Sequence, residues 1–440
     1  MGLVYHKSMK LIIHHPSVKD GQIVASYQAD GIDYAHTFSF SEPVLAFDEV
    51  SERLIRWLAI AHAPYLFSIE YFTEIQTDFS LSPEELHFFE KLVYNGMAEF
   101  RFVNNIPIAT KTSFSSQEPS PLVALNVERQ LSGRLLLNGG GKDGLTSGLL
   151  LKASNLDFNL FQIGSGVAQT KAANVLQVPM ILFKREMEER RLTGKYQGHR
   201  PTSAAIAISA LLTAYMTGKR DVIASNENSA NEPNLEVDGV EINHQYSKSF
   251  EFEKDLGELL NLYGLPLRYF SLLRPFHELQ IVKLFTHQPI DATSSFISCN
   301  RGFRKGFWCK TCAKCAFISL AFSAVAPETT ENIFEVENSI SIPELEKHII
   351  ELVSPELQKP LECVGTLYEC QLAAKVILER SPDLLSDTLR EVFTEKTRLI
   401  EGDYLDSFMG TFNDLHNIPS EEYAPVFELT RDILNTRQTA

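Results

Sequence analysis

The chain has 440 residues, 44% hydrophobic and 22% charged, enough to bury a large core divided among two or three domains. Its 40 basic residues against 56 acidic give a net charge of −16, which excludes a general nucleic-acid binder with a broad basic face but leaves room for a local basic pocket. Six cysteines, four of them clustered, are too few for a disulfide scaffold and suggest a metal site.

The chain opens on Met1-Gly2-Leu3-Val4-Tyr5-His6, which leads into no apolar signal region; His6 stands where a myristoylation motif needs Ser or Thr. The longest weakly polar run, Thr202 to Thr217, carries Ser and Thr and falls short of the roughly 20 residues of a membrane span. A cytoplasmic protein without a membrane span is expected.

Residues 1–130 read as an α+β domain. Short β-like runs (Lys10 to His14, Gln22 to Tyr27, Tyr34 to Phe40) precede helices over Ser51 to Ala63 and Ser82 to Asn95, the latter opening on Ser-Pro-Glu-Glu. Thr112 to Pro121, rich in Ser and Pro, reads as a linker. Residues 131–326 alternate strand and helix, which predicts a parallel, doubly wound α/β sheet. Its strands are Arg134 to Leu137, Phe158 to Ile163, Met180 to Phe183, Val222 to Ser225 and Leu267 to Phe270. Its helices are Leu145 to Ser154, Ala168 to Val175, Ser203 to Thr217, Leu256 to Tyr263 and Phe276 to Phe285. Residues 327–440 turn mostly helical: Ile342 to Val353, Cys370 to Glu379, Leu384 to Phe393 and Ala424 to Leu434.

The sharpest local signal follows the Arg134 to Leu137 strand: Asn138-Gly139-Gly140-Gly141-Lys142-Asp143-Gly144-Leu145-Thr146-Ser147. Glycines let backbone N–H groups approach an anion, and the following helix adds its positive dipole end. Lys142 can neutralise phosphate and Asp143 can hold Mg²⁺ on a pyrophosphate. The loop is neither a Walker A motif nor a dinucleotide G-x-G-x-x-G. It resembles the PP-loop of ATP pyrophosphatases, usually written SGGxDS, with Asn138 replacing the first Ser and Gly144 the last. Thr146 or Ser147 could replace the lost hydroxyl.

The second signal is Cys299, Cys309, Cys312 and Cys315, spaced C-x9-C-x2-C-x2-C. Four thiolates at such spacing can close a structural, tetrahedral Zn²⁺ site. An Fe–S cluster or metal-free thiols are the alternatives. Arg301, Arg304, Lys305, Lys310 and Lys314 would offset the charge of a Zn(Cys)₄ centre or face an anionic ligand. Similar clusters follow the PP-loop domain in the 7-cyano-7-deazaguanine synthase family.

Three further polar stretches look like site-building loops: Gly198 to Ser203 opens an apolar helix, Ser225 to Glu232 follows a strand end, where open α/β sheets hold ligands, and Lys359 to Gly365 interrupts the helical C-terminal part. Taken in order with the glycine loop, Leu272 to Leu279 and the cysteine segments, they resemble the MurL family over about Gly133 to Gly365. These are UDP-N-acetylmuramoyl-L-alanyl-L-glutamate epimerases of bacterial peptidoglycan synthesis.

The resemblance implies epimerisation of the terminal L-glutamate of UDP-MurNAc-L-Ala-L-Glu through an acyl-adenylate, with ATP converted to AMP and pyrophosphate. It also implies coupling to the peptidoglycan ligase that makes the L-Glu precursor. Adenylation makes physical sense, because removing the α-carboxylate charge lets the carbonyl accept the electrons of a deprotonated Cα. ATP phosphates and Mg²⁺ are assigned to Asn138, Gly139, Gly140, Gly141, Lys142, Asp143, Thr146 and Ser147, with Asn226, Glu227 and Asn228 holding Mg²⁺, substrate or adenylate. Arg200, Arg268 and Arg274 are candidate anion contacts. Cys363 is the first candidate for the Cα base, before Glu227, His277, Glu278 and His244. Two other readings share the loop and the cluster. One is another PP-loop adenylating enzyme, akin to the deazaguanine nitrile synthases that act on nucleobases or tRNA. The other is a non-catalytic, zinc-stabilised nucleotide-binding protein, favoured by Gly144.

Overall fold

The computed structural model describes residues 9–118, 120–190, 194–288, 290–402 and 404–436. The opening Met1 to His6, read above for targeting signals, lies outside the described residues. Two compact units interleave along the chain, whereas the sequence reading took three consecutive stretches. The first unit comprises Met1–Leu135, Ile181–Val222 and Glu236–Tyr269; the second comprises Leu136–Met180, Ile223–Leu235 and Phe270–Ala440. Among the described residues no helix is long and apolar enough to cross a membrane.

The first unit is built on a hairpin of Gln22–Ala29 and Ile32–Phe40, paired from Gln22↔Ser39 to Ala29↔Ile32. Its two-residue turn, Asp30-Gly31, has φ of 51° and 76°, the double left-handed conformation that matches strand twist. Alternate residues Ile23, Ala25, Tyr27 and Ala29 are buried, the period expected of a half-buried strand. Lys10–Ile13 pairs antiparallel with Gln22–Ala29 and parallel with Glu74–Thr77. Met180–Glu186 pairs antiparallel with Ile32–Phe40, so the strands of this unit are mixed in direction. Ser113–Ser116, taken from composition as part of a linker, is a strand parallel to Glu74–Thr77. Pairing, not propensity, makes it one. The helix Glu49–His62 starts at an Asp48/Ser51 capping box, and Pro83–Gly96 at a Ser82/Glu85 box.

In the second unit, the strands run in the order Arg268–Ser271, Asp221–Ala224, Arg134–Leu137, Asn159–Ile163, and the boundary between units falls inside the first three. Their hydrogen bonds join start to start (Asp221 N to Gly133 O, 3.2 Å; Arg268 N to Arg220 O, 3.0 Å) and end to end (Asn138 N to Phe161 O, 2.8 Å; Leu272 N to Ala224 O, 3.0 Å). They are therefore parallel, as expected. The chain steps from Arg134–Leu137 to Asn159–Ile163 on one side and later returns to Asp221–Ala224 on the other. In open α/β sheets such a reversal is where ligands bind, at the strands' carboxyl ends. The helices Ala313–Val325, Pro343–Val353, Leu367–Arg380 and Ala424–Asn435 share one core with these strands, running from Leu136 to Leu434. The helix Ala313–Val325, unread in the sequence, is buried along nearly its whole length because other helices cover it on several sides.

Candidate functional site

The glycine loop lies at this reversal, between the end of Arg134–Leu137 and the helix Lys142–Ala153. Gly140 has φ +77°, and a Cβ there would stand 2.5 Å from the Ala168 carbonyl carbon and 2.6 Å from Gln169 N. No side chain fits. Gly139 faces open space. Asn138 is a scaffold residue. Its amide donates to Gln162 Oε1 (2.9 Å) and Gln169 O (3.0 Å), and its Oδ1 accepts the Gly140 N–H at 3.1 Å. On the other flank Ile297 N donates to Gly140 O at 3.2 Å, and Ser298 Oγ accepts the Lys142 N–H at 3.5 Å. Thr146 Oγ1 returns to Lys142 O, and Ser225 Oγ donates to Ser147 Oγ at 2.8 Å, joining the loop's helix to the segment after Asp221–Ala224.

Lys142 does not point into solvent. Its ammonium is fully buried and ion-paired with both Asp143 and Glu278. Burial opposes its charge, but the two carboxylates outweigh it and hold the pKa above the ordinary lysine value. The second Glu278 oxygen lies 3.6 Å from Lys314 Nζ, of the Cys-Ala-Lys-Cys segment. Two lysines thus balance Asp143 and Glu278. Lys314 N donates to Glu362 Oε2 at 2.7 Å, which fixes the Lys359 to Gly365 loop; Asn234 Nδ2 fixes the same loop through Pro360 O at 3.0 Å. Glu369, overlooked in the sequence, is fully buried and receives the Glu278 N–H at 2.5 Å while capping its own helix through Thr366. Its signal was legible as the Thr366-x-x-Glu369 capping box.

His277 sits beside this network. Its Nδ1 is 3.9 Å from Glu369 Oε2, its Nε2 3.2 Å from Asn228 Nδ2, and its ring 5.0 Å from Phe408. Asn226 gives its carbonyl to Ser271 Oγ, and Glu227, nearly buried, gives its carbonyl to the fully buried Arg274 at 2.9 Å. Cys363 is half-buried in the Lys359 to Gly365 loop, whereas Cys370 is buried and its thiol pushed up by desolvation. Three other candidates belong to the first unit. Arg268 forms a two-point ion pair with Asp221 (2.7 and 2.8 Å). Arg200 stacks 5.3 Å over Phe100, and the His244 ring lies 5.0 Å from that of His199, itself bonded to Glu99.

The ligand atoms of Cys299, Cys309, Cys312 and Cys315 all lie within 4.8 Å of one another, so the cluster could hold a metal ion. Sulfur separations of 3.6 Å (Cys312–Cys315) and 3.8 Å (Cys309–Cys315) match the roughly 3.8 Å edge of a tetrahedron with 2.3 Å bonds. Backbone N–H groups of Gly302 and Cys309 point at Cys299 Sγ from 3.2 and 3.3 Å, stabilising a thiolate. Hydrogen bonds from Cys312 and Cys315 hold the Cys299 thiol low, and the same bonds push Cys312 up to about 12 and Cys315 up as well. A dication bound at the cluster would let all four ionise.

Fold and site together define an α/β protein with a glycine-rich strand-to-helix loop at the switch point of its sheet, beside a four-cysteine cluster that could hold a metal ion. Residues 8–272 match the model of the MurL N-terminal domain and residues 295–402 that of the MurL C-terminal domain. The chain belongs to the MurL family. Among relatives, the UDP-N-acetyl-alpha-D-muramoyl-L-alanyl-L-glutamate epimerase of Salinispora tropica is 32% identical over 317 residues, 68% of each chain. The protein of the same name from Xanthomonas oryzae pv. oryzae is 30% identical over 320 residues, 69% of each chain. No solved structure matches the chain.

Proposed function

We propose that this protein epimerises the terminal L-glutamate of UDP-MurNAc-L-Ala-L-Glu in peptidoglycan precursor synthesis, using ATP to charge the α-carboxylate with AMP and releasing pyrophosphate. The observation that carries the reading is convergence. In a chain of this family, segments from Asn138 to Glu369 that are remote in sequence meet at the switch point of one sheet.

The residues present fit a nucleotide. Gly139 is open, Gly140 admits no side chain, and the helix Lys142–Ala153 directs its free N–H groups at the loop. We assign this α/β unit to the PP-loop fold. Asp143, with a quarter of its side chain exposed, would hold Mg²⁺, which supplies charge neutralisation on the phosphates. Lys142 serves from beneath, cancelling carboxylate charge that would otherwise repel the triphosphate. The four cysteines would hold a structural zinc ion, all four positions being protein ligands.

Once the carboxylate is adenylated, a base takes the Cα proton from one face, an acid returns a proton to the other, and water then hydrolyses the adenylate to release AMP. Cys363 remains the first candidate, on a loop fixed by Asn234 and Lys314. Glu227 is the next candidate; His277, its Nε2 bonded to the Asn228 amide, and Glu278, locked to two lysines, fit less well. The enzyme would work in the cytoplasm, downstream of the ligase that adds L-Glu. Incubating the UDP-sugar dipeptide with enzyme, ATP and Mg²⁺ in D₂O tests this: deuterium should appear at glutamate Cα together with AMP. Unlabelled dipeptide recovered after ATP exposure rejects the reading.

A further inference from the structure

Asn228 was read from the sequence as a ligand for Mg²⁺, substrate or adenylate, which leaves open whether it acts through oxygen or nitrogen. The surrounding hydrogen bonds decide. Asn413 Oδ1 accepts the Leu415 backbone N–H at 3.0 Å, so its nitrogen must face the other way. That nitrogen donates to Asn228 Oδ1 at 2.7 Å, and Asn231 Nδ2 donates to the same oxygen at 3.2 Å. With its oxygen taken twice, Asn228 turns its Nδ2 to His277 Nε2 at 3.2 Å. A backbone N–H cannot reverse its polarity, so the direction of the whole chain is set at Leu415. Backbone bonds clamp both amides beside the histidine: Asn413 N donates to Pro275 O at 3.0 Å and Asn228 N to Phe276 O at 2.9 Å.

We propose that Asn228 is a donor-only residue of the site, offering one amide N–H to an oxygen of the bound substrate, and that Asn413 and His277 are the positioning residues that fix this polarity. Accepting at Nε2, the neutral His277 ring carries its proton on Nδ1, towards Glu369. Asn228 then has no oxygen free for a cation. The amide has two N–H bonds; one serves His277, and the other has no partner among the described residues on a half-buried side chain. A carboxyl or carbonyl oxygen is the chemistry that fits it. The substrate part of this proposal rests on the epimerase reading. The polarity of the chain does not.

The test separates the two. In uniformly ¹⁵N-histidine-labelled protein, the His277 signal, assigned by loss in His277→Gln, should show the Nδ1–H tautomer at pH 8 without substrate. Asn413→Asp cannot donate to Asn228; the freed amide can turn its oxygen to the ring, and the Nε2–H tautomer should appear. A wild-type Nε2–H signal, or a tautomer unmoved in Asn413→Asp while the fold is retained by circular dichroism, overturns the proposal. Asn228→Asp adds a ligand oxygen and removes the N–H. Its kcat/KM should fall about 100-fold with the Mg²⁺ requirement unchanged, a loss equivalent to ~2.7 kcal/mol. Tighter Mg²⁺ binding with activity kept would show that the oxygen is the working atom and would also overturn it. Absence of any epimerase activity in the wild type would instead sink the epimerase reading, and with it the substrate role, leaving the tautomer result to stand.

Discussion

A methyl group on Gly140 would stand 2.5 Å from the Ala168 carbonyl carbon in a backbone conformation of φ +77°. Both faults act at once: the left-handed conformation costs on the order of 1 kcal/mol for a residue with a Cβ, and the contact is with backbone that cannot rotate away. The turn must open, and its N–H groups then move off the anion. Gly140→Ala should therefore lower ATP-dependent turnover by at least about 100-fold, since misplacement by an ångström costs that much in positioned catalysis. Gly139, with open space beside it, gives the matched control: Gly139→Ala should fold unchanged, and pyrophosphate release measured side by side separates the two. Equal activity of both variants would mean that the cradle is not where the nucleotide sits.

At the scale of elements, the cysteine cluster and the glycine loop are one mechanical unit. Ile297 and Ser298 bond the loop from one side, and Cys299 follows them directly. Lys314, between Cys312 and Cys315, reaches Glu278 and so Lys142. Cys315→Ser should abolish bound zinc, measured by metal analysis, and lower stability in urea by on the order of 4 kcal/mol, in the range associated with loss of a structural metal. It should also weaken ATP binding, because Ile297 and Ser298, which bond the loop, adjoin Cys299. Full zinc content in this variant would remove the cluster from the metal role.

Much of this was legible. The loop announced itself because a strand, a glycine turn and a helix each have local signals, and the cysteines because metal spacing is local too. The strand Arg134–Leu137 was read to the residue. Ser113–Ser116 was not, since only its neighbour makes it a strand. Glu369 carried a local capping-box signal, but its bond to Glu278 spans 91 residues and that of Asn413 to Asn228 spans 185, and spacing says nothing at that range. Arg268, read as an anion contact, spends its charge on Asp221 of the adjacent strand, a pairing that only the sheet order creates.

The response of the whole molecule to pH follows from groups far from the loop. His62, fully buried in the first unit, packs 4.7 Å from the Phe38 ring and bonds Leu58 O at 2.9 Å through Nδ1. Burial holds its pKa well below 6.5, and the Arg185 charge and His36 push the same way. The folded chain thus keeps His62 neutral while the unfolded chain binds a proton below about 6.5, and stability must fall as pH falls through that value. From pH 7.5 to 5.5 this one group removes on the order of 1 kcal/mol. His416, also lowered by burial, adds in the same direction. Carboxylates held low, such as Asp48, act only at more acid pH, so the window between 7.5 and 5.5 belongs to the histidines. Trp57 is buried in the same unit and reports on it once Trp308 is replaced by Phe. Urea midpoints followed by Trp57 fluorescence should drop over that window in the His62 protein. The drop should be clearly smaller in His62→Leu, where an apolar side chain of similar volume has nothing to protonate. An equal drop in both would place the acid sensitivity elsewhere.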